Sequence, residues 1–437
     1  MAEARPAWVR YAAAVVLTGL IAGLAGMVLA LLLHLVQHLA FGYGLSDLFG
    51  GESFLDGVRQ TPPLRRLVVL ILCGAVAGGG WWLVYRAGRP LVSVKRAVAD
   101  PSVPMPPGAT LAHVLLQIVT VGMGSPLGRE VAPREMGAMI AGWLARHLHL
   151  TPEDMRRVLA CGAGAGLAAV YNVPLGATLF VLEVLLRSVD ARAAVSALAA
   201  CTIGAYVAWT GLGDLIPYHI PRLSMDPSLV AWAVLCGPFF GVMGLAFARL
   251  TASARKSALR GARMIPACLA AFTLTGLVSM LLPEILGNGK GPIQMGLEAE
   301  VGLRLALLLI VLKLGLIVMV LRAGAKGGLM TPGMTIGALA GLVLGIGWNH
   351  LTGVQITPGS FALVGAAALL SVSMNMPVTA IVLSIEFTRA GHDFFIPVIL
   401  AVAGASATAM LLAGRMKAAQ GFPDIPSPYQ DRSAHDR

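Results

Sequence analysis

The sequence predicts an all-α integral membrane protein, built as an inverted repeat with broken or re-entrant helices, and three observations carry that reading. The first is composition. Of 437 residues 57% are apolar and 12% charged, with a mean hydropathy of +0.79, whereas soluble proteins average roughly 25% charged. The second is the length of the uncharged runs. Residues 11–46, 193–213, 264–283 and 394–414 each reach the roughly 20 residues a spanning helix needs. The run 327–385, 59 residues without a charge, must cross or dip more than once. The third is internal repetition. Tyr171-Asn172-Val173-Pro174-Leu175 through Glu183 is echoed by Met374-Asn375-Met376-Pro377-Val378 through Glu386 at a constant offset of 203, and Gly162-Ala163 by Gly365-Ala366.

In chain order, residues 1–10 form a basic tail and 11–213 a first transmembrane half. That half starts with a helix over 11–40, whose apolar stretch is too long for a signal peptide and lacks a small-residue cleavage site. The loop 41–64 holds Asp47, Glu52 and Asp56 against Arg59, and a second helix follows over 65–86. Short segments at 92–99 and 109–121 lead to the glycine-rich motif and its helix to 148. Pro152 with Glu153 and Asp154 marks a helix start; segments 174–187 and 193–213 close the half. A polar, proline-rich connector, 214–227, opens the second half, 228–414, and a tail, 415–437, ends the chain. The helical pair of the second half, 229–250 and 264–282, is joined by a loop with Arg249, Arg255, Lys256, Arg260 and Arg263 and no acid. Since basic loops stay cytoplasmic, the acidic and basic loops belong on opposite sides of the membrane.

Fifty-two glycines and 26 prolines point to interrupted helices, tolerated where backbone is buried in protein or lines a wet cavity. The net charge of +11 reads as cytoplasmic-side bias and attraction to anionic membrane lipids and permeant anions, not nucleic acid. The five cysteines lie in apolar stretches without CxxC spacing, so they read as buried core residues. No cofactor or metal pattern emerges; His34 and His38, at i and i+4, lack a third ligand and read as an interfacial helix face.

The chain is organised around Gly122-Met123-Gly124-Ser125-Pro126-Leu127-Gly128-Arg129-Glu130-Val131-Ala132-Pro133. Ionisable residues at membrane depth line pathways or mark sites. A helix starting at Glu130 would point its positive dipole end at a bound small anion. An inverted repeat of interrupted helices puts that site near the midplane.

Gly128-Arg129-Glu130 is similar to the G-[KR]-E-G-P motif of the CLC family of chloride channels and anion/proton exchangers, and Gly327-Gly328-Leu329-Met330-Thr331-Pro332 to its G-x-F-x-P motif. The paired segments ending at Glu183 and Glu386 resemble that family's paired helices, and the spacing agrees from about Tyr11 to Leu412. The resemblance implies a homodimer that transports small anions, chloride foremost, through a pore gated by Glu130. Anion-binding positions are then Gly128, Arg129 and Val131 with Gly328, Leu329, Met330 and Thr331. It also implies a multi-pass protein of the bacterial inner membrane, without C-terminal regulatory domains. Within the motifs Val131 and Ala132 stand for the glycine and proline and Met330 for the phenylalanine, and three further positions depart from the pattern. Arg89 stands where the family has an anion-ligating serine. The central tyrosine expected near Ala418 is missing, Tyr429 being the nearest. Val184 stands where exchangers have an internal proton-carrying glutamate.

These departures leave two mechanisms open, a channel-like pore or a proton-coupled exchanger of chloride or fluoride. Val184 cannot carry a proton, which favours the channel; Glu183 and Glu386 are the candidate proton path for exchange, or else structural groups at helix ends. Lys326 and Arg89 are candidate charges at a pore mouth, Lys326 alternatively snorkelling to the interface and Arg89 alternatively part of a solvated cluster with Arg86, Lys95 and Arg96. The rival class is a membrane enzyme such as a lipid phosphatase using Ser125 to Glu130. An enzyme needs a nucleophile or metal carboxylates beside a base, and the second half offers at the matching place only Lys326 and Thr331.

Overall fold

The computed structural model describes residues 6–43, 53–87, 90–214, 216–220 and 225–420, with side chains to 414. Its helices are α1 (Ala7–Phe41), α2 (Phe54–Gln60), α3 (Pro63–Arg86), α4 (Val94–Ala99), α5 (Pro107–Gly122), α6 (Val131–His147), α7 (Pro152–Tyr171), α8 (Pro174–Phe180, continued as a π-turn to Leu186), α9 (Ala191–Leu212), α10 (Pro227–Lys256), α11 (Met264–Leu281), α12 (Lys290–Leu297), α13 (Leu303–Ala323), α14 (Met330–Thr352), α15 (Pro358–Ser373), α16 (Pro377–Thr388) and α17 (Phe395–Gln420). Proline opens seven of them at the first turn, where its missing N–H leaves no bond unmade. Among the described residues eight helices are long and apolar enough to cross a membrane, so the protein is an all-helical, multi-pass membrane protein.

Helix directions follow from contacts. Thr61 Oγ1 donates to Phe41 O and Arg65 Nε to Ala40 O, so α1 ends where α3 begins. Arg66 donates to Met280 O at one end of α3, while Gly78, near the other, packs on Ile265 at the start of α11. The basic turn after α10 meets α13's end through Leu259 N–H and Arg322 O at 2.9 Å. Arg10, in the first turn of α1, donates to Leu148 O after α6. The residues around 257–263 therefore share a face with the start of α1 and the ends of α3 and α6. The segment 53–62 lies on the opposite face. α10 and α17 run parallel, Gly237 facing Ala401 and Gly241 facing Ala405, so the end of α17 lies toward the basic face, as the start of α1 does.

The repeat is visible residue by residue. Asn172 and Asn375 both adopt left-handed backbone, φ 55° and 52°, which Asn tolerates better than other side chains. Each precedes a proline-opened helix, α8 or α16. The pairs α6–α7 and α14–α15 cross at small residues, Gly137 on Gly162 and Gly337 on Gly365, allowing the close approach typical of membrane helices.

Three expectations need correction, and one is met: the charge-free run 327–385, expected to cross or dip more than once, holds α14, α15 and most of α16. The loop 41–64 contains a helix, α2, among its described residues; Asp47 and Glu52 lie outside them. The basic loop is short, because α10 continues to Lys256; Ala-Arg-rich sequence keeps helix propensity past the apolar run. Finally, α13 is a spanning helix of mean hydropathy 2.6 that the charge-free criterion passed over because Lys313 interrupts it.

Candidate functional site

α6 and α14 begin deep in the protein and their N-termini face each other. The chain just before each forms a single antiparallel bridge, Gly128 N–H to Gly328 O and Gly328 N–H to Gly128 O, both 2.8 Å. Beside the bridge lies Glu130, fully buried. Its Oε1 accepts from the Met330 amide, the first residue of α14, at 2.6 Å, while Oε2 has no hydrogen-bond partner among the described residues. A Cβ on Gly128 or Gly328 would fall on this carboxylate, so both glycines make its seat.

The chemistry of the seat suits a negative charge. The first turn of a helix has N–H groups without intrahelical acceptors, and its dipole is positive there. A buried carboxylate lying on such amides shows that the place accommodates negative charge. One expectation is corrected: the amides of Gly128 and Gly328 donate to each other, so they frame the site rather than bind an anion. The amides of Arg129 and Val131 on one side, and of Leu329, Met330 and Thr331 on the other, have the position for that task.

Surrounding contacts hold this arrangement. Arg134 Nε donates to Glu130 O at 2.8 Å, Arg255 to Gly327 O at 2.9 Å, and the Gly287 amide to Gly124 O at 3.0 Å. Lys313, fully buried, donates to Ile285 O and Gly287 O at 3.0 and 2.8 Å, so its charge pins the chain that touches the motif. The Arg129 guanidinium lies 5.0 Å from the Tyr171 ring centroid, and Tyr171 Oη is 3.5 Å from Thr331 Oγ1. Sequence reasoning missed Lys313 and this use of Tyr171. A lysine inside the most hydropathic helix was the available signal for the first; nothing local signalled the second.

The two symmetry-related glutamates sit elsewhere. Glu183 accepts from the Val378 and Thr379 amides at 3.0 and 2.7 Å, and Glu386 from the Leu175 and Gly176 amides at 3.0 and 2.6 Å. The residues preceding those helices, Met376 and Val173, have no side chain able to cap them, so each half caps a helix of the other. Val184 is half-buried among apolar neighbours. Lys326 lies 5.9 Å from the Tyr85 ring, at the basic-face end of α3. Arg89 and Tyr429 fall outside the described residues. On the basic face, burial and then the Arg187 and Arg134 charges push Lys95 down to about 8.

The voltage-gated chloride channel family model matches residues 73–410. An H(+)/Cl(-) exchange transporter, ClcA, of Vibrio cholerae serotype O1 is 29% identical over 425 residues, covering 91% of this chain and 86% of the relative. A putative ClcB-like chloride channel protein of Ralstonia nicotianae is 28% identical over 366 residues, 80% of this chain and 83% of its own length. Among solved structures, a slow cyanobacterial Cl−/H+ antiporter superposes with a TM-score of 0.77 at 20% identity, over 94% of this chain and 99% of that one. A CLC-type fluoride/proton antiporter gives 0.67 at 20%, over 92% and 96%.

Proposed function

We propose that this chain, which belongs to the voltage-gated chloride channel family, carries small anions, chloride foremost, across a membrane through a pore that Glu130 gates. The observation that carries the reading is the Glu130 carboxylate on the Met330 amide at the mouth of α14. As an anion the side chain competes for the seat; protonated, it is a poor competitor and vacates it. Amide dipoles bind an anion favourably yet loosely, as conduction requires. Arg129 near this seat and Lys326 toward the basic face supply positive potential along the route. Arg89 would add to it if that segment reaches the same mouth.

Transport in exchange for protons is a second reading, favoured by a buried His–Glu contact on α5 and α6 (His113 Nδ1 to Glu135 Oε2, 3.0 Å) and by the exchange activity named for the Vibrio relative. Glu183 and Glu386 serve that reading poorly, since each is engaged in capping. Assembly is as a homodimer: Leu175, Val378, Val195, Leu198, Ile396 and Ile399 are exposed apolar side chains on the neighbouring helices α8, α16, α9 and α17. The basic face is cytoplasmic, toward anionic lipids of a bacterial inner membrane.

Chloride and fluoride efflux from proteoliposomes, measured across pH 4–8, tests the reading. Glu130→Gln and Glu130→Ala should stay folded and lose most of the pH dependence, because a neutral side chain no longer competes as an anion. A folded Glu130→Gln protein with the wild-type pH profile would place the gate elsewhere.

A further inference from the structure

One face of α5 turns polar inside the membrane. Gln117, with no exposed surface, brings Nε2 within 2.6 Å of His113 Nδ1 and 3.1 Å of Glu135 Oε2 on α6, and those two atoms are themselves 3.0 Å apart. Three heavy atoms in a triangle constrain the protons among them. With the amide nitrogen donating to both, Nδ1 and Oε2 face each other as two acceptors. A shared proton makes that contact favourable; without one it is repulsive. Turning the amide over puts its oxygen against Oε2, again two acceptors. With its proton on Nδ1 the ring instead donates to Oε2, so the three groups form a buried set whose donor and acceptor roles exchange as a proton comes and goes.

The neighbourhood suits proton movement. Gln117 Oε1, Trp81 Nε1 and Thr110 Oγ1 are buried without partners. Thr110 stands one turn from His113 toward the start of α5, and the Trp81 ring centroid lies 6.2 Å from that of His113. Buried polar atoms of this kind are normally satisfied by internal water. From α1 only apolar Leu29 and Leu33 face α5 here. The charges of α3, Arg65, Arg66 and Arg86, stand at its two ends. From α6 come Arg134, tied to Glu130 O, and Glu135. On α4, Lys95 neighbours Arg134. Along α6, Glu135 is five residues from Glu130 toward the basic face, about 7.5 Å at the helical rise.

We propose that His113, Gln117 and Glu135 form the internal proton site of this transporter, taking the place of the acid missing at Val184. It rests on the exchange reading and on Glu130 as gate. A proton from water on the basic face binds between Glu135 Oε2 and His113 Nδ1, moves through buried water to the Glu130 carboxylate, and neutralises it. Glu130 then leaves the anion seat and releases the proton to the opposite side, while the anion moves the other way.

Proteoliposomes with a chloride gradient and a pH dye decide the matter. Wild type should pump protons uphill. Glu135→Gln and, separately, His113→Asn should keep chloride efflux within about twofold of wild type and lose proton pumping at least tenfold; Glu135→Asp should restore part of it. Wild-type proton-to-chloride ratios in both variants would overturn the proposal, and so would proportional loss of both fluxes, the signature of a merely structural pair. No pumping by wild type would overturn it too, yet leave the gate intact if Glu130→Gln still abolishes the pH dependence of chloride efflux.

Discussion

The two halves of the molecule are alike in backbone and unlike in chemistry. Both bring a half-helix, α6 or α14, to the bridge at Gly128 and Gly328, both follow with a glycine-crossed partner, and both continue into a proline-opened helix, α8 or α16, capped by a glutamate from the other half. Yet the first turns differ. α6 is preceded by Arg129 and Glu130 and carries Arg134 and Glu135, whereas α14 offers Thr331 and Thr335, buried hydroxyls without charge. Duplication supplied a symmetric scaffold whose two dipole ends converge on one seat. The carboxylate in the seat and the arginine beside it, Glu130 and Arg129, come from the first half, while the second half contributes Arg255 on Gly327 O behind the bridge. Symmetry here builds the binding place, and its absence supplies a direction for control.

The largest effect would come from breaking the inversion itself. Cysteine at position 53 should react with a membrane-impermeant label added outside intact cells, and cysteine at position 257 should not. Equal labelling of both would end the assignment of the two faces. The reciprocal caps give a sharper, smaller test. Glu183→Gln and Glu386→Gln should each lower stability by about 1–3 kcal/mol, the range for losing a charged group from buried amides, and by similar amounts, read as thermal unfolding in detergent. A large loss for one and none for the other would make the caps unequal and free one glutamate for transport.

The smallest effect concerns the charge asymmetry of the basic face. Lys95 titrates near 8, below the ordinary lysine range, because of burial and then of Arg187 and Arg134. Its charge is thus lost as pH rises through about 8. Anion entry from that face should fall by about twofold over that step as local positive potential weakens, and Lys95→Gln should flatten it. The linkage to folding has the opposite sign. A lowered folded pKa means the native state binds fewer protons than the unfolded chain above about 8, so stability rises there. Entry that keeps its pH step in Lys95→Gln would transfer the role to another group.

How much of this was legible in the sequence differs by kind. The helical membrane class, the central motif and the glutamate pair could be read from charge-free runs and repetition, because both leave a linear trace. The repeat offset of 203 was right after Gly162 but not at the seat, where Glu130 and Met330 stand 200 apart; α14 is longer than α6, at 23 residues against 17. α13 escaped because a buried lysine, bonded to two carbonyls, looks in sequence like an exposed one. His113, Gln117 and Glu135 escaped for a related reason. Their spacing is ordinary for a helix surface, and only packing against α3 and α6 turns that surface inward.

The bridge has a mechanical consequence. Two hydrogen bonds at Gly128 and Gly328, with the carboxylates of Glu183 and Glu386 each reaching across, fasten the halves at three separate points. Rocking one half against the other by even a couple of ångströms would break several of these bonds at once. A cheaper motion is available, rotation of one side chain out of a seat whose walls stay still. Under the proposed function, turnover is then limited by a swinging Glu130 carboxylate and its proton. The resistance of the scaffold to shear is then what keeps the two sides of the membrane from being open together.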